Sequence, residues 1–322
     1  METNSTGPLA EMGNCSSILE VKNHRLGIFL AVFLSIIFIF GTLFNSFAFW
    51  VFCYKMKKWT ETRVYMMSLL LSDCCLLFTI PFRIYATLYD WTLGVELCHY
   101  LLSSYFMNTY SSIALITLIA IDRYIAIRFP MKARTLRSPK KAVIACGIIW
   151  FPLLIIRIHI GLKDIKPLNR RFCFKKINSN PVQIGLYYTI FGFFLPFLIV
   201  TFCSMEIIRT LKKKDLLSSQ DHTMQKTINI VTSNLVTFLV CFLPLSIGKI
   251  LSYIVESLSL DCNLIKNVYD YVFCAQVIAD VNCCLDAVSY YFVATEFWEK
   301  ASLSPKLKIV HQTQDPTQDS NL

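Results

Sequence analysis

The sequence predicts an all-α membrane protein, a seven-transmembrane helix bundle with a short amphipathic helix after span seven. Three observations carry this. Apolar residues make up 55% of the 322-residue chain and charged residues only 16%, with a mean hydropathy of +0.52, more apolar surface than a soluble domain of this size can hide. The apolar residues fall into seven runs, each reaching or exceeding the roughly 20 residues that cross a hydrocarbon core. Basic residues gather in alternate connections, as they do on the inner side of a membrane.

The runs lie at Leu26–Cys53, Val64–Tyr89, Leu97–Ile127, Ala142–Ile160, Pro181–Ile208, Thr227–Ile254 and Val268–Val293. Inside lipid every backbone amide must be satisfied within its own segment, and these runs are too long and too evenly apolar for barrel strands, so they read as helices. Polar joints such as "YKMKKWTETR" and "LKKKDLLSSQDHT" separate them. The connections after spans one, three and five, with the tail, hold most of the 31 Lys and Arg, among them Lys55, Lys57, Lys58, Arg134, Arg137, Lys140, Lys141 and Lys212–Lys214. The N-terminus is therefore expected outside and the tail inside, in a multi-pass protein of the plasma membrane. Residues 1–25 read as an extracellular N-terminus, 26–293 as the transmembrane domain, and 294–322 as amphipathic helix and cytoplasmic tail. The sequons at Asn4 and Asn14 fall on the outer side as glycosylation acceptors. Met1–Val21 is polar, so span one is expected to act as its own insertion signal.

Several function classes lack their chemistry here. Ten Gly leave little material for a phosphate-cradling loop, and the five His are scattered with no zinc or serine-hydrolase signature. No cofactor is expected beyond a sodium ion. A secondary transporter would show paired halves, whereas these spans are unequal and without internal similarity.

Polar residues at bilayer depth cost about 2.5–3.5 kcal/mol each on insertion scales, so each needs a reason. Asp73 lies mid-span in "LLLSDCCLL". Asn108 and Ser112 share a face of span three, and Asn282 and Asp286 repeat that spacing on span seven. Five oxygen-bearing side chains suit a small hard cation such as sodium, or alternatively hydrogen bonds between helices. Arg83, Arg157 and Lys249 sit in the outer parts of spans two, four and six, beneath a loop carrying Arg171 and Lys175. With Tyr85 and Tyr105 as walls, the outer mouth suits an anionic ligand. Arg83→Ala is expected to abolish the agonist response with surface expression intact. Of the 13 Cys, Cys15, Cys98, Cys173 and Cys262 fall outside the spans. Two disulfides are expected there, with three connectivities open.

"LIAIDRYIAIRFP" ends span three with Asp122–Arg123–Tyr124. That triplet resembles the signature of class A (rhodopsin-like) G-protein-coupled receptors. Cys98, 25 residues before Arg123, has the family's spacing, and Asn45, Asp73, Trp150, Pro196, "CFLP" with Pro244, and Tyr290 follow in the family's order. "WVFCYKMKKWTETRVYM", "LRSPKKA" and "NCCLDAVSYYFVATEF" resemble the branch holding the proposed receptors for kynurenic acid and lysophosphatidylinositol. The resemblance implies a Cys98–Cys173 bridge and, with it, Cys15–Cys262. It implies that Asp122 neutralises Arg123 in the closed bundle, and that outward movement of span six frees Arg123 for a heterotrimeric G protein, of the i/o or 12/13 class. Met131 and Tyr290 join that coupling end. Ile113, Pro196 and Phe238 match the family's packed switch, with hinges at Pro196 and Pro244.

The chain departs from the family at Phe242, where Trp is usual, at Met224 and Ser204, and at Asp286–Ala287 in place of Asn–Pro. These departures predict appreciable ligand-independent signalling. The lysophosphatidylinositol relative carries a base where Arg83 stands, while the kynurenic-acid relative carries an Arg where this chain has Thr109. The resemblance thus favours an anionic lysophospholipid over a small aromatic or hydroxy carboxylic acid. "TEFWEKASL" reads as the amphipathic helix, and Ser302, Ser304, Thr313, Thr317 and Ser320 as sites for receptor kinases and arrestin.

Overall fold

A computed structural model describes residues 15, 17–55, 59–163, 172–176, 179–215, 222–287 and 290. The sequons at Asn4 and Asn14, Arg171, the amphipathic helix and the tail lie outside the described residues, as do the side chains of Arg157 and Met224. Among the described residues, seven helices are long and apolar enough to cross a membrane. They are His24–Lys55, Glu61–Leu88, Val95–Arg128, Pro139–Ile156, Gln183–Lys213, Ile228–Ser257 and Cys262–Ala287, spans one to seven.

Polar side chains at the joints decide where the helices start. Asn23 accepts from the Leu26 amide at 3.3 Å, Thr60 from Arg63 at 3.3 Å and Ser138 from Lys141 at 3.3 Å. Asp261 accepts from Asn263 at 3.2 Å, so span seven begins at Cys262, ahead of the Val268 expected from hydropathy alone. Gly94, at φ +91°, turns the chain into span three, a conformation natural to glycine, and the Trp91 indole donates to its carbonyl at 2.6 Å. A short helix, Pro130–Leu136, forms the second inner connection.

The bundle closes into a ring. Span one packs on two, two on three, three on four and five, five on six, six on seven, and seven back on one. The polarity of a soluble fold is reversed. Phe29, Phe40, Phe44, Phe47 and Trp50 of span one face outward, while Asn45, Ser72, Asp73, Asn108, Ser111, Ser112, Asn282 and Asp286 are buried. Backbone turns widened to a π-type pattern lie at Ile190–Phe194 and Phe238–Phe242, each just before a proline, Pro196 and Pro244. Proline supplies no amide to the carbonyl four residues back, and the widened turn absorbs that loss.

Candidate ligand cavity and coupling end

Two disulfides anchor the end of the bundle that the sequence reading places outside: Cys15–Cys262, with a Cα–Cα distance of 5.3 Å, and Cys98–Cys173, at 5.8 Å. The first ties the N-terminal segment to the start of span seven, where Leu19 packs against Val255, Ile265 and Tyr269. The second pins the outer loop to span three. Next to it, Phe174 is held at φ +65°, a region unfavourable for a bulky residue, and its ring lies 5.7 Å from the Arg83 guanidinium. Lys22 bridges to Asp90 at 3.2 Å, and Lys175 donates to the Val21 carbonyl at 3.3 Å. Burial pushes the Lys175 ammonium below the usual lysine range, with Asp270 opposing that shift.

Below this roof lies a cavity of about 760 Å³. Its walls are apolar and aromatic, including Leu102, Phe106, Tyr110, Leu153, Ile156, Val182, Leu186 and Tyr188. Among the described residues four cations reach it: Arg83, Lys175, Lys176 and Lys249. Acids reach it too. Lys176 pairs with Glu256 at 2.6 Å, and Glu256 also accepts from the Tyr269 hydroxyl at 2.7 Å. The basic mouth read from the sequence is therefore partly neutralised.

Arg83 is 2% exposed and forms a buried ion pair with Asp280 of span seven. Its guanidinium lies 4.8 Å from the Tyr105 ring centroid, while Nε and Nη2 meet no acceptor among the described residues. Tyr105 lines the cavity beside it. Tyr85 does not. Its hydroxyl bonds Thr92 at 2.8 Å and its ring packs edge-on against Trp91, because the disulfide cluster at the end of span three draws it away from the cavity. Lys249 contacts the Tyr110 hydroxyl at 3.3 Å and stands over the Phe106 and Tyr110 rings at 5.6 and 5.1 Å.

A small gap lined by Thr109, Thr189, Ser246 and Lys249 leads down from there to Ile113, Phe193 and Phe242. Ile113, Phe193, Phe238 and Phe242 share one buried cluster. Phe193 stacks on Phe238 at 5.3 Å, and Phe242 meets Phe238 edge-on at 5.8 Å. Phe193 was not singled out from the sequence, although it lies just ahead of Pro196.

Deeper still, the Tyr290 hydroxyl donates to Asp73 Oδ2 at 3.0 Å. Tyr290 thus belongs to the interior polar set in this conformation, rather than to the cytoplasmic cleft where the sequence put it. Asn108 donates to Ser72 Oγ at 3.1 Å and Ser72 bonds Ser111 at 2.7 Å, so Ser72 and Ser111 belong to the same network as Ser112. Among the described residues, Asp73 Oδ1, Asp286 Oδ2 and both polar atoms of the Asn282 amide have no hydrogen-bond partner. Such oxygens suit a hard cation.

At the inner end the expected Asp122–Arg123 pair is replaced. Arg137 binds Asp122 with two hydrogen bonds, at 2.8 and 2.9 Å, and approaches Glu61 at 3.8 Å. Arg123 instead donates to Thr62 at 3.0 Å. Neighbours in a helix point in different directions, so adjacency in sequence does not make a pair. Burial works against the Arg137 charge, but Asp122 and Glu61 outweigh it and raise its pKa. Tyr124 packs against Phe129 and Phe202. Met131, on the short helix Pro130–Leu136, is 78% exposed.

Comparison with known proteins agrees with this architecture. Residues 44–290 match the family described as 7 transmembrane receptor (rhodopsin family). G-protein coupled receptor 35 from Homo sapiens is 36% identical over 297 residues, covering 90% of this chain and 92% of that one. Lysophosphatidic acid receptor 6 from Gallus gallus is 30% identical, covering 87% and 94%. Lysophosphatidic acid receptor 4 from Mus musculus is 29% identical, covering 85% and 77%. With seven spans, a cavity opening at one end and an Asp-Arg-Tyr end opposite it, this chain belongs to the rhodopsin-like seven-transmembrane family of G-protein-coupled receptors.

Proposed function

We propose that this receptor binds an anionic amphiphile, a lysophospholipid in preference to a small aromatic or hydroxy carboxylic acid, and activates G proteins of the i/o or 12/13 class. One observation carries the reading: a cavity of about 760 Å³ that combines cations with long apolar walls. Pockets of roughly 300–1,000 Å³ serve drug-sized ligands, and this one lies in the upper part of that range. Leu153, Ile156, Val182 and Leu186 offer a surface that an acyl chain would cover and a compact acid would leave bare. The names of the lysophosphatidic acid receptors to which the chain is similar support the same ligand class.

Signal transfer follows from the stacking order. A ligand in the cavity presses on the gap above Ile113, Phe193 and Phe242, and rotation of Phe242 against Phe238 moves span six at the widened turn before Pro244. The inner ends then part, exposing Arg123. Asp73, Asn108, Ser112, Asn282 and Asp286 would hold a sodium ion that neutralises the buried carboxylates and braces the resting packing. The N-terminus lies outside, arrestin and receptor kinases act on the tail, and basal signalling is appreciable. The test is a panel of G-protein dissociation biosensors in cells expressing the receptor, challenged with oleoyl-lysophosphatidate, oleoyl-lysophosphatidylinositol and kynurenate. Activation by the lysolipids supports the reading; activation by kynurenate alone favours the acid; silence to all three removes both.

A further inference from the structure

The four described cations of the cavity are not equivalent. Arg83 is neutralised by Asp280, both 2% exposed. Lys176 is neutralised by Glu256. Lys175 reaches a backbone carbonyl and has Asp270 in its field. Among the described residues neither Lys175 nor Lys249 makes an ion pair, but Lys175 spends a donor on that carbonyl, whereas the Lys249 ammonium is offered a phenol oxygen and two ring faces. Ring faces and a hydroxyl compensate a desolvated cation only in part. A ligand anion gains most where positive charge is unmatched and water is scarce. At Arg83 it would find open donors, at Nε and Nη2, but would also face the Asp280 carboxylate.

We propose that Lys249 receives the ligand's anionic group, and that the Arg83–Asp280 pair is a brace between spans two and seven rather than the anion anchor. This deepens the reading of the receptor as one for an anionic amphiphile and rests on it. Ser246 lines the gap beside Lys249 and offers its hydroxyl to a carboxylate or phosphate, while the hydroxyls of Thr109 and Thr189, also in that lining, donate to the carbonyls of Tyr105 and Gly185. The position has a mechanical consequence. Lys249 stands on span six outside Pro244 and leans on Phe106 and Tyr110 of span three. An anion that draws Lys249 away from those rings shifts span six against span three directly above Phe242, so the group that identifies the ligand also works the switch.

The test uses full-length receptor purified in detergent, with thermal unfolding followed against oleoyl-lysophosphatidate, kynurenate and neutral monooleoylglycerol. Wild type, Lys249→Gln, Lys249→Arg and the double variant Arg83→Gln/Asp280→Asn are compared; the double variant removes both charges and leaves no orphaned carboxylate. A lost charge-assisted hydrogen bond corresponds to a half-saturating concentration raised about 10- to 150-fold. That rise is expected for Lys249→Gln with whichever anion stabilises wild type, while Lys249→Arg and the double variant stay near wild type. If Lys249→Gln binds the anion as wild type does, or the double variant alone loses it, the assignment to Lys249 is overturned and the anionic reading stands. If neither anion stabilises wild type, or monooleoylglycerol does so equally, the anionic reading falls and Lys249 with it. Lysophosphatidate acting without kynurenate identifies the anion as a lipid headgroup, and the reverse identifies a free acid.

Discussion

Replacing Arg83 by alanine leaves Asp280 as a carboxylate 2% exposed with its cation gone. Removing one partner of a buried ion pair destabilises by about 3–5 kcal/mol. The lost guanidinium–Tyr105 contact, at 4.8 Å, adds on the order of 1 kcal/mol. The sum, about 4–6 kcal/mol, is a fall of about three to four orders of magnitude in the folded-to-unfolded ratio. The variant is therefore expected to fail in folding before it fails in signalling, which revises the sequence-based expectation of normal surface expression. Arg83→Gln/Asp280→Asn keeps the shapes and removes both charges, so it is expected within about 1 kcal/mol of wild type. Flow cytometry of an epitope-tagged receptor and the thermal midpoint in detergent measure both variants. Arg83→Ala should be depleted at the surface and melt well below wild type, with Asp280→Asn added in the same chain restoring most of the loss. If Arg83→Ala reaches the surface normally with an unchanged midpoint, or the two substitutions add independently, the pair is not a brace between spans two and seven.

Three further outcomes follow. Arg137→Gln takes away the two hydrogen bonds on Asp122; Asp122 is then expected to turn to Arg123, its neighbour in the chain, and basal G-protein activation should fall several-fold, whereas an unchanged basal signal would show that Arg137 does not keep the two apart. A Cβ at Gly192 would stand 2.9 Å from Tyr110 Cε1, so Gly192→Ala should push the ring that Lys249 leans on, costing about 1–3 kcal/mol of stability in thermal unfolding and weakening agonist potency; equal potency and midpoint would refute that coupling. Replacing sodium by N-methylglucamine should alter agonist affinity in wild type and not in Asp286→Asn, and equal sensitivity in both would remove Asp286 from a cation site.

The large features were legible because the bilayer imposes them. A hydrocarbon core about 30 Å thick demands long uninterrupted apolar runs, and each span stands out whatever its partners. The depth of Asp73, Asn282 and Asp286 was legible for the same reason. Partnerships were less so. Arg83 and Asp280 are 197 positions apart, and Asp280, next to the polar face of span seven, carries no local mark of its role. Asp122 beside Arg123 invites a pairing that this conformation does not make, and the cation Asp122 takes comes from the next connection. Glu256 lies at the end of an amphipathic stretch where acids are ordinary, so its grip on Lys176 emerges only when the outer loop folds over span six. Tyr85 and Tyr105 look alike in sequence; the disulfide at Cys98 decides which of them faces the cavity.

The most direct measurement of the central claim is nucleotide exchange on purified G-protein heterotrimers by the full-length receptor in lipid nanodiscs, with oleoyl-lysophosphatidate added to the outer-facing side. The account predicts exchange above the ligand-free rate in wild type and none above background in Arg123→Ala. Exchange that is indifferent to the lysolipid, or that persists without Arg123, would contradict it.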